Sequence, residues 1–119
     1  MELLEIAKKI EEKIQLLERG RGGLLPLAIE RATKLAKYDK QLAIVLIGLK
    51  NGVAMSCQEA IIQNPPATIA EKIAKGICWQ GKLEMEKADT EYKLAVQKLS
   101  CVEAELNGYQ SIFRYLSEI

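Results

Sequence analysis

The chain has 119 residues, and its 17 basic and 16 acidic side chains leave a formal charge of +1. This balance argues against strong autonomous binding to nucleic acid or a membrane surface, which an excess of Lys and Arg would indicate. Histidine is absent, which removes the commonest general base and metal ligand, so we expect no catalytic residue, cofactor or metal and no enzyme activity.

The first predicted helix covers residues 2–19. Leu3, Ala7, Ile10, Ile14 and Leu17 recur in steps of four and three, with charged residues between them. The stretch 20–23, with glycine at three of its four positions, is expected to end this helix, because glycine is the usual residue just after a helix.

The second predicted helix covers residues 26–50, with Pro26 at its first position and Asn51-Gly52 as its stop. Residues 42–49 are apolar on all sides, so a buried strand is the alternative. We predict a helix because no second strand is evident to pair with it. The run is too short to span a bilayer, so we expect a cytoplasmic protein without membrane association.

A short third helix is predicted over 53–63, with Val53, Cys57, Ala60 and Ile61 facing inward. The two prolines that follow predict an extended turn. Thr68 and Glu71 have the spacing of a capping box, which predicts the start of a last helix over 68–116.

The last helix carries an unbroken heptad pattern, which is typical of a helix that buries one seam against another helix. Three glycines lower the helix propensity of this segment, and we expect a bend near 76–81. The twelve seam positions are Cys78, Gly81, Met85, Ala88, Tyr92, Ala95, Leu99, Val102, Leu106, Tyr109, Phe113 and Leu116.

These patterns predict a single all-α domain: a helical bundle or antiparallel coiled-coil hairpin with one long C-terminal helix. Small residues in the seam allow close helix approach, and uncovered apolar surface on the second helix favours a homodimer. The protein is therefore expected to act as a self-associating interaction or scaffold module, with another protein as a further partner. The expected packing and interface residues are Leu42, Val45, Leu46, Leu49, Trp79, Gly81, Ala88 and Ala95.

The alternative function is a small helical accessory subunit or regulator of a nucleic-acid-handling complex, which the near-neutral charge does not favour. Five cations on the first two predicted helices and the intervening glycine-rich stretch would then contact phosphates. They are Arg19, Arg21, Lys34, Lys37 and Lys40. The three cysteines are odd in number and more than 20 residues apart, so we expect free thiols rather than disulfides or a zinc site.

Overall fold

A computed structural model describes residues 2–118. Its elements in chain order are helix α1 (Leu3–Lys50), strands β1 (Met55–Cys57) and β2 (Ala60–Ile62), and helices α2 (Ala67–Ile77) and α3 (Trp79–Ser117). Over these residues the protein is an all-α helical hairpin, 84% helical, which confirms the predicted fold class.

The chain forms two compact units, and each contains parts of both long helices. Unit 1 comprises Met1–Ala28 and Thr90–Ile119, and unit 2 comprises Ile29–Asp89. In unit 1, α1 and α3 are joined by the ion pairs Lys13–Glu105 and Arg21–Glu103. The corresponding ion pairs of unit 2 are Arg31–Asp89 and Lys34–Glu84. Within each unit a later residue of α1 contacts an earlier residue of α3, so the two helices pack antiparallel.

The heptad seam of the last helix is confirmed position by position. All twelve predicted seam residues are buried or half-buried, with Ala88 only 5% exposed and Cys78 1% exposed. In α3 the other described residues are exposed, apart from Asp89 and Gln110. A helix turns once every 3.6 residues, so alternating steps of three and four keep one face toward its neighbour.

The predicted break at 20–23 is wrong, because α1 continues through these residues and through Pro26. The predicted helices 2–19 and 26–50 are therefore parts of one helix. A Cβ on Gly20 would overlap the side chain of Leu99 in α3, so the missing side chain at this position permits close packing. The seam of α1 was hard to recognise because it passes through glycine and charged residues, among them the half-buried Lys13.

The predicted stop at Asn51-Gly52 is confirmed, since α1 ends at Lys50. Gly52 has a φ of +79°, and its amide donates to the carbonyl of Leu49 at 3.3 Å. The Val53 amide donates to the carbonyl of Gly48 at 2.9 Å. This pair of bonds is the Schellman motif, which satisfies carbonyls that the end of a helix would otherwise leave without donors.

The predicted third helix over 53–63 is wrong, because β1 and β2 form an antiparallel hairpin there. Cys57 pairs with Ala60 across a two-residue turn, in which Gln58 has a φ of +56°. Met55 and Ile62 pack against the core, whereas Ile61, which was expected to face inward, is 77% exposed. Met55 and Cys57 are half-buried and Ser56 between them is exposed, which follows the two-residue period of a strand.

The predicted continuous helix over 68–116 is interrupted at Cys78, within the segment where a bend was expected. Cys78 has φ −90° and ψ 20°, and its amide still donates to the carbonyl of Ala74 at 3.1 Å. The predicted capping box is absent, since α2 begins after Pro66 without a hydrogen bond from a capping side chain.

The core of unit 2 lies where α1, α2, the hairpin and the start of α3 meet. Half-buried side chains from all these elements, such as Leu42, Met55 and Met85, pack around it. Its buried members are Tyr38, Val45, Leu49, Ala74 and Cys78. This core holds the segment 42–49 in place and leaves only part of its surface exposed.

Candidate interaction surfaces

The four predicted interface residues of α1 pack within the chain itself. Val45 and Leu49 are 8% and 1% exposed in the core of unit 2, and the half-buried Leu42 and Leu46 pack against that core. The accessible apolar surface of this segment belongs instead to Ile44 and Ile47, which are 58% and 59% exposed. Any partner that reaches this segment would therefore contact these two isoleucines.

The four predicted interface residues outside α1 lie in different environments. Trp79 is 55% exposed, and Leu83, four residues later and so on the same side of α3, is 46% exposed. Gly81 is half-buried, and a Cβ on it would lie 3.5 Å from a ring carbon of Tyr38. Ala88 is buried, and Ala95 lines a groove in unit 1. Gly81 and Ala88 thus lie at packed positions, Ala95 borders a groove, and Trp79 lies on an open surface.

The surface of unit 1 carries a groove of about 700 Å³. We call it the apolar groove, because Leu27 of α1 and several apolar residues of α3 line it. Leu94 is the most accessible of the large ones, at 54% exposed. The α3 residues of its lining are Glu91, Leu94, Ala95, Gln97, Lys98, Cys101, Val102 and Glu105.

Three charged residues of alternating sign follow one side of the apolar groove at intervals of seven: Glu91, Lys98 and Glu105. Glu105 is already paired with Lys13, and the hydrogen bond between them is the main reason that the pKa of Lys13 is raised. Glu91 and Lys98 form no ion pair with another residue of the described range 2–118. Two opposite charges beside the groove are thus available for a partner.

The surface of unit 2 carries a second groove, of about 460 Å³, between α1 and the first turns of α3. We call it the basic groove, because three lysines and one glutamate line it. Its lining consists of Lys34, Lys37, Tyr38, Lys40, Gln41, Ile44, Val45, Gln80, Gly81 and Glu84. The structure therefore brings together three of the five cations that the sequence identified as candidate phosphate contacts.

The five candidate phosphate contacts differ in their ion pairing. Lys34 lies 3.3 Å from a carboxylate oxygen of Glu84, and Arg21 lies 3.2 Å from one of Glu103. The other three are exposed and make no ion pair within residues 2–118; they are Arg19, Lys37 and Lys40. Arg19 and Arg21 belong to unit 1, whereas the lysines belong to unit 2.

The described residues contain no group of three or more cysteine, aspartate or glutamate side chains arranged to hold a metal ion. Across residues 2–118, no helix is both long enough and apolar enough to cross a membrane. The three cysteines are free thiols in the structure. No protein-family model, curated protein or solved structure matches this chain.

Proposed function

We propose that this protein is a helical protein–protein interaction module that forms a twofold homodimer through the apolar groove of unit 1. The observation that carries the proposal is the combination of accessible apolar side chains with two unpaired, opposite charges on one side of α3. The predicted cytoplasmic location belongs to the same proposal.

The apolar groove has the character of an association surface. Leu94 is 54% exposed beside the half-buried Ala95 and Val102, and Leu27 contributes from α1. A groove of apolar side chains bordered by charged ones is typical of a surface that a partner covers. The small side chain of Ala95 would allow a second helix to approach closely.

The charges make this surface complementary to itself. Consider two copies of α3 packed antiparallel about a twofold axis that passes between Leu94 and Ala95. Glu91 then lies opposite Lys98 of the partner subunit, and the reverse pair forms by symmetry. Both ion pairs use groups that the single chain leaves without ion-pair partners.

A second register places the axis between Cys101 and Val102, so that Lys98 lies opposite Glu105 of the partner subunit. Glu105 already pairs with Lys13 in its own chain, so this register would divide one carboxylate between two cations. The first register is therefore the one we propose.

Charge exchange tests the interface. We expect sedimentation equilibrium to show a dimer for the native chain, and an equally stable dimer for two exposed controls outside the groove, Glu86→Lys and Lys82→Glu. Glu91→Lys and Lys98→Glu should each weaken the dimer about tenfold, because each creates two like-charge pairs, and the double exchange should restore it. A native chain that stays monomeric to about 1 mM would refute self-association.

Cross-linking distinguishes the two registers. In the proposed register, residue 95 of each copy lies within about 1.5 Å of its counterpart along the axis, whereas the two Cys101 residues are about 20 Å apart. Ala95→Cys in a Cys101→Ser background should therefore form a covalent dimer with a short thiol-reactive linker, and the native chain should not. Cross-linking through native Cys101 would show the other register, while self-association itself would stand.

A further inference from the structure

We propose that the basic groove of unit 2 binds an acidic, amphipathic helix of a partner protein. This site is separate from the proposed dimer interface, because all its lining residues belong to unit 2. The groove combines a row of cations with an apolar floor, and an acidic amphipathic helix offers the complement of both features.

The cations follow the axis of α1 at regular intervals. Lys34, Lys37 and Lys40 are three residues apart, so adjacent lysines rise by about 4.5 Å along the helix and the row spans about 9 Å. Carboxylates on one face of a partner helix, three or four residues apart, repeat at about 4.5–6 Å. Because Lys34 is already paired with Glu84, the incoming carboxylates would contact Lys37 and Lys40.

The floor of the groove gives an apolar side chain somewhere to pack. Ile44 is 58% exposed there, next to the buried Val45. On the α3 side, Gly81 packs closely on α1, because a Cβ there would come within 2.8 Å of the Gln41 side-chain oxygen. A leucine of a partner helix could therefore contact Ile44 while flanking carboxylates reach the lysines, which is the usual way a helix binds a groove.

The same features favour an acidic protein segment over a nucleic acid strand. The aromatic residue of the groove, Tyr38, is 7% exposed and cannot offer its ring face to a base. Glu84 lies among the lysines and already pairs with Lys34, which leaves two lysines of the groove without an ion pair. Two unpaired lysines also fall short of the several phosphate contacts that tight nucleic-acid binding uses.

Fluorescence anisotropy tests the proposal with a labelled peptide of about 18 residues, or five helical turns, carrying leucines on one face and glutamates beside them. A peptide with lysine in place of every glutamate and a labelled oligo-dT strand serve as competing probes. We expect the acidic peptide to bind, and Lys37→Glu with Lys40→Glu to weaken it at least tenfold. The matched control is Lys8→Glu with Lys72→Glu, which alters two exposed lysines elsewhere and should leave binding unchanged.

Ile44→Ser provides a second variant that keeps every charge, and it should also weaken the acidic peptide, because it removes the apolar contact. Circular dichroism should show unchanged helix content for all these variants, since the altered side chains are exposed. The proposal is overturned if the acidic peptide does not bind, if both lysine pairs weaken it equally, or if oligo-dT binds more tightly through Lys37 and Lys40.

Discussion

The continuity of α1 through residues 20–23 can be tested by replacing glycines that have no packing role. Gly22 and Gly23 lie inside the helix, and a Cβ on either would meet nothing within 4 Å. Alanine is favoured over glycine in a helix interior by about 1 kcal/mol. Gly22→Ala and Gly23→Ala should therefore each raise the free energy of unfolding by that amount, or the Tm by roughly 4 °C for a chain of this size.

Two further glycines should respond in the opposite direction. Gly52→Ala forces a side chain onto a residue with φ +79°, within 3.0 Å of the Asn64 side-chain oxygen, and should cost about 1 kcal/mol. In Gly20→Ala the new methyl group overlaps Leu99, and overpacking of about 1–3 kcal/mol offsets the gain in helix propensity. Urea unfolding measures the change in the free energy of unfolding for all four glycine variants, provided that the m-value is unchanged.

A glycine loop at 20–23, as the sequence alone predicts, would give a different result. Alanine would then bring no helix-propensity gain at Gly22 or Gly23, and it would be destabilising wherever the loop required a positive φ. If both variants unfold at lower urea concentrations than the native chain, α1 is not continuous and its packing along α3 in unit 1 is wrong as well.

Ala88→Leu should lower the free energy of unfolding by about 1–3 kcal/mol, because Ala88 is 5% exposed at the helix contact, whereas Glu86→Leu on the exposed face should be nearly neutral in thermal melts. Burial shields Cys78 and raises its thiol pKa, so mass spectrometry should find it alkylated far more slowly than the exposed Cys101. The pKa of Lys13 is raised above 10.5, chiefly by its hydrogen bond to Glu105 of α3. This interaction therefore stabilises the folded state fully below pH 10.5, and the stabilisation is lost as the pH rises through the raised pKa. The stability difference between the native chain and Lys13→Met should accordingly shrink as the pH rises past 10.5.

The local sequence pattern was sufficient to predict the structure wherever one helix face packs against a single continuous neighbour. The seam from Cys78 to Leu116 could be located residue by residue, because heptad spacing and the pitch of a helix together specify which side chains face inward. The end of α1 was equally predictable, since Gly52 at the C′ position satisfies a local hydrogen-bonding rule.

The candidate surfaces required the three-dimensional structure. Lys34, Lys37 and Lys40 were identified from their position on the polar face of a helix, but their shared groove depends on Gly81 and Gln80 of α3, more than 35 residues later. Glu91 and Lys98 gave no signal in the sequence, because a solvated helix is expected to carry alternating charges. They became candidate interface residues only because the structure places the apolar groove beside them.

The wrong predictions at 20–23 and 53–63 arose where local preference and tertiary contacts disagree. Glycine and proline disfavour a helix by about 1 and 3 kcal/mol, a cost that the burial of Leu17 and the half-burial of Leu24 help to offset. The β-hairpin has no glycine in its turn to reveal it, and it is held by the packing of Met55 and Ile62 on a core built mainly from helices. The helical period depends on residues that are close in sequence. The continuity of α1 and the formation of the β-hairpin depend instead on which distant side chains pack into the same core.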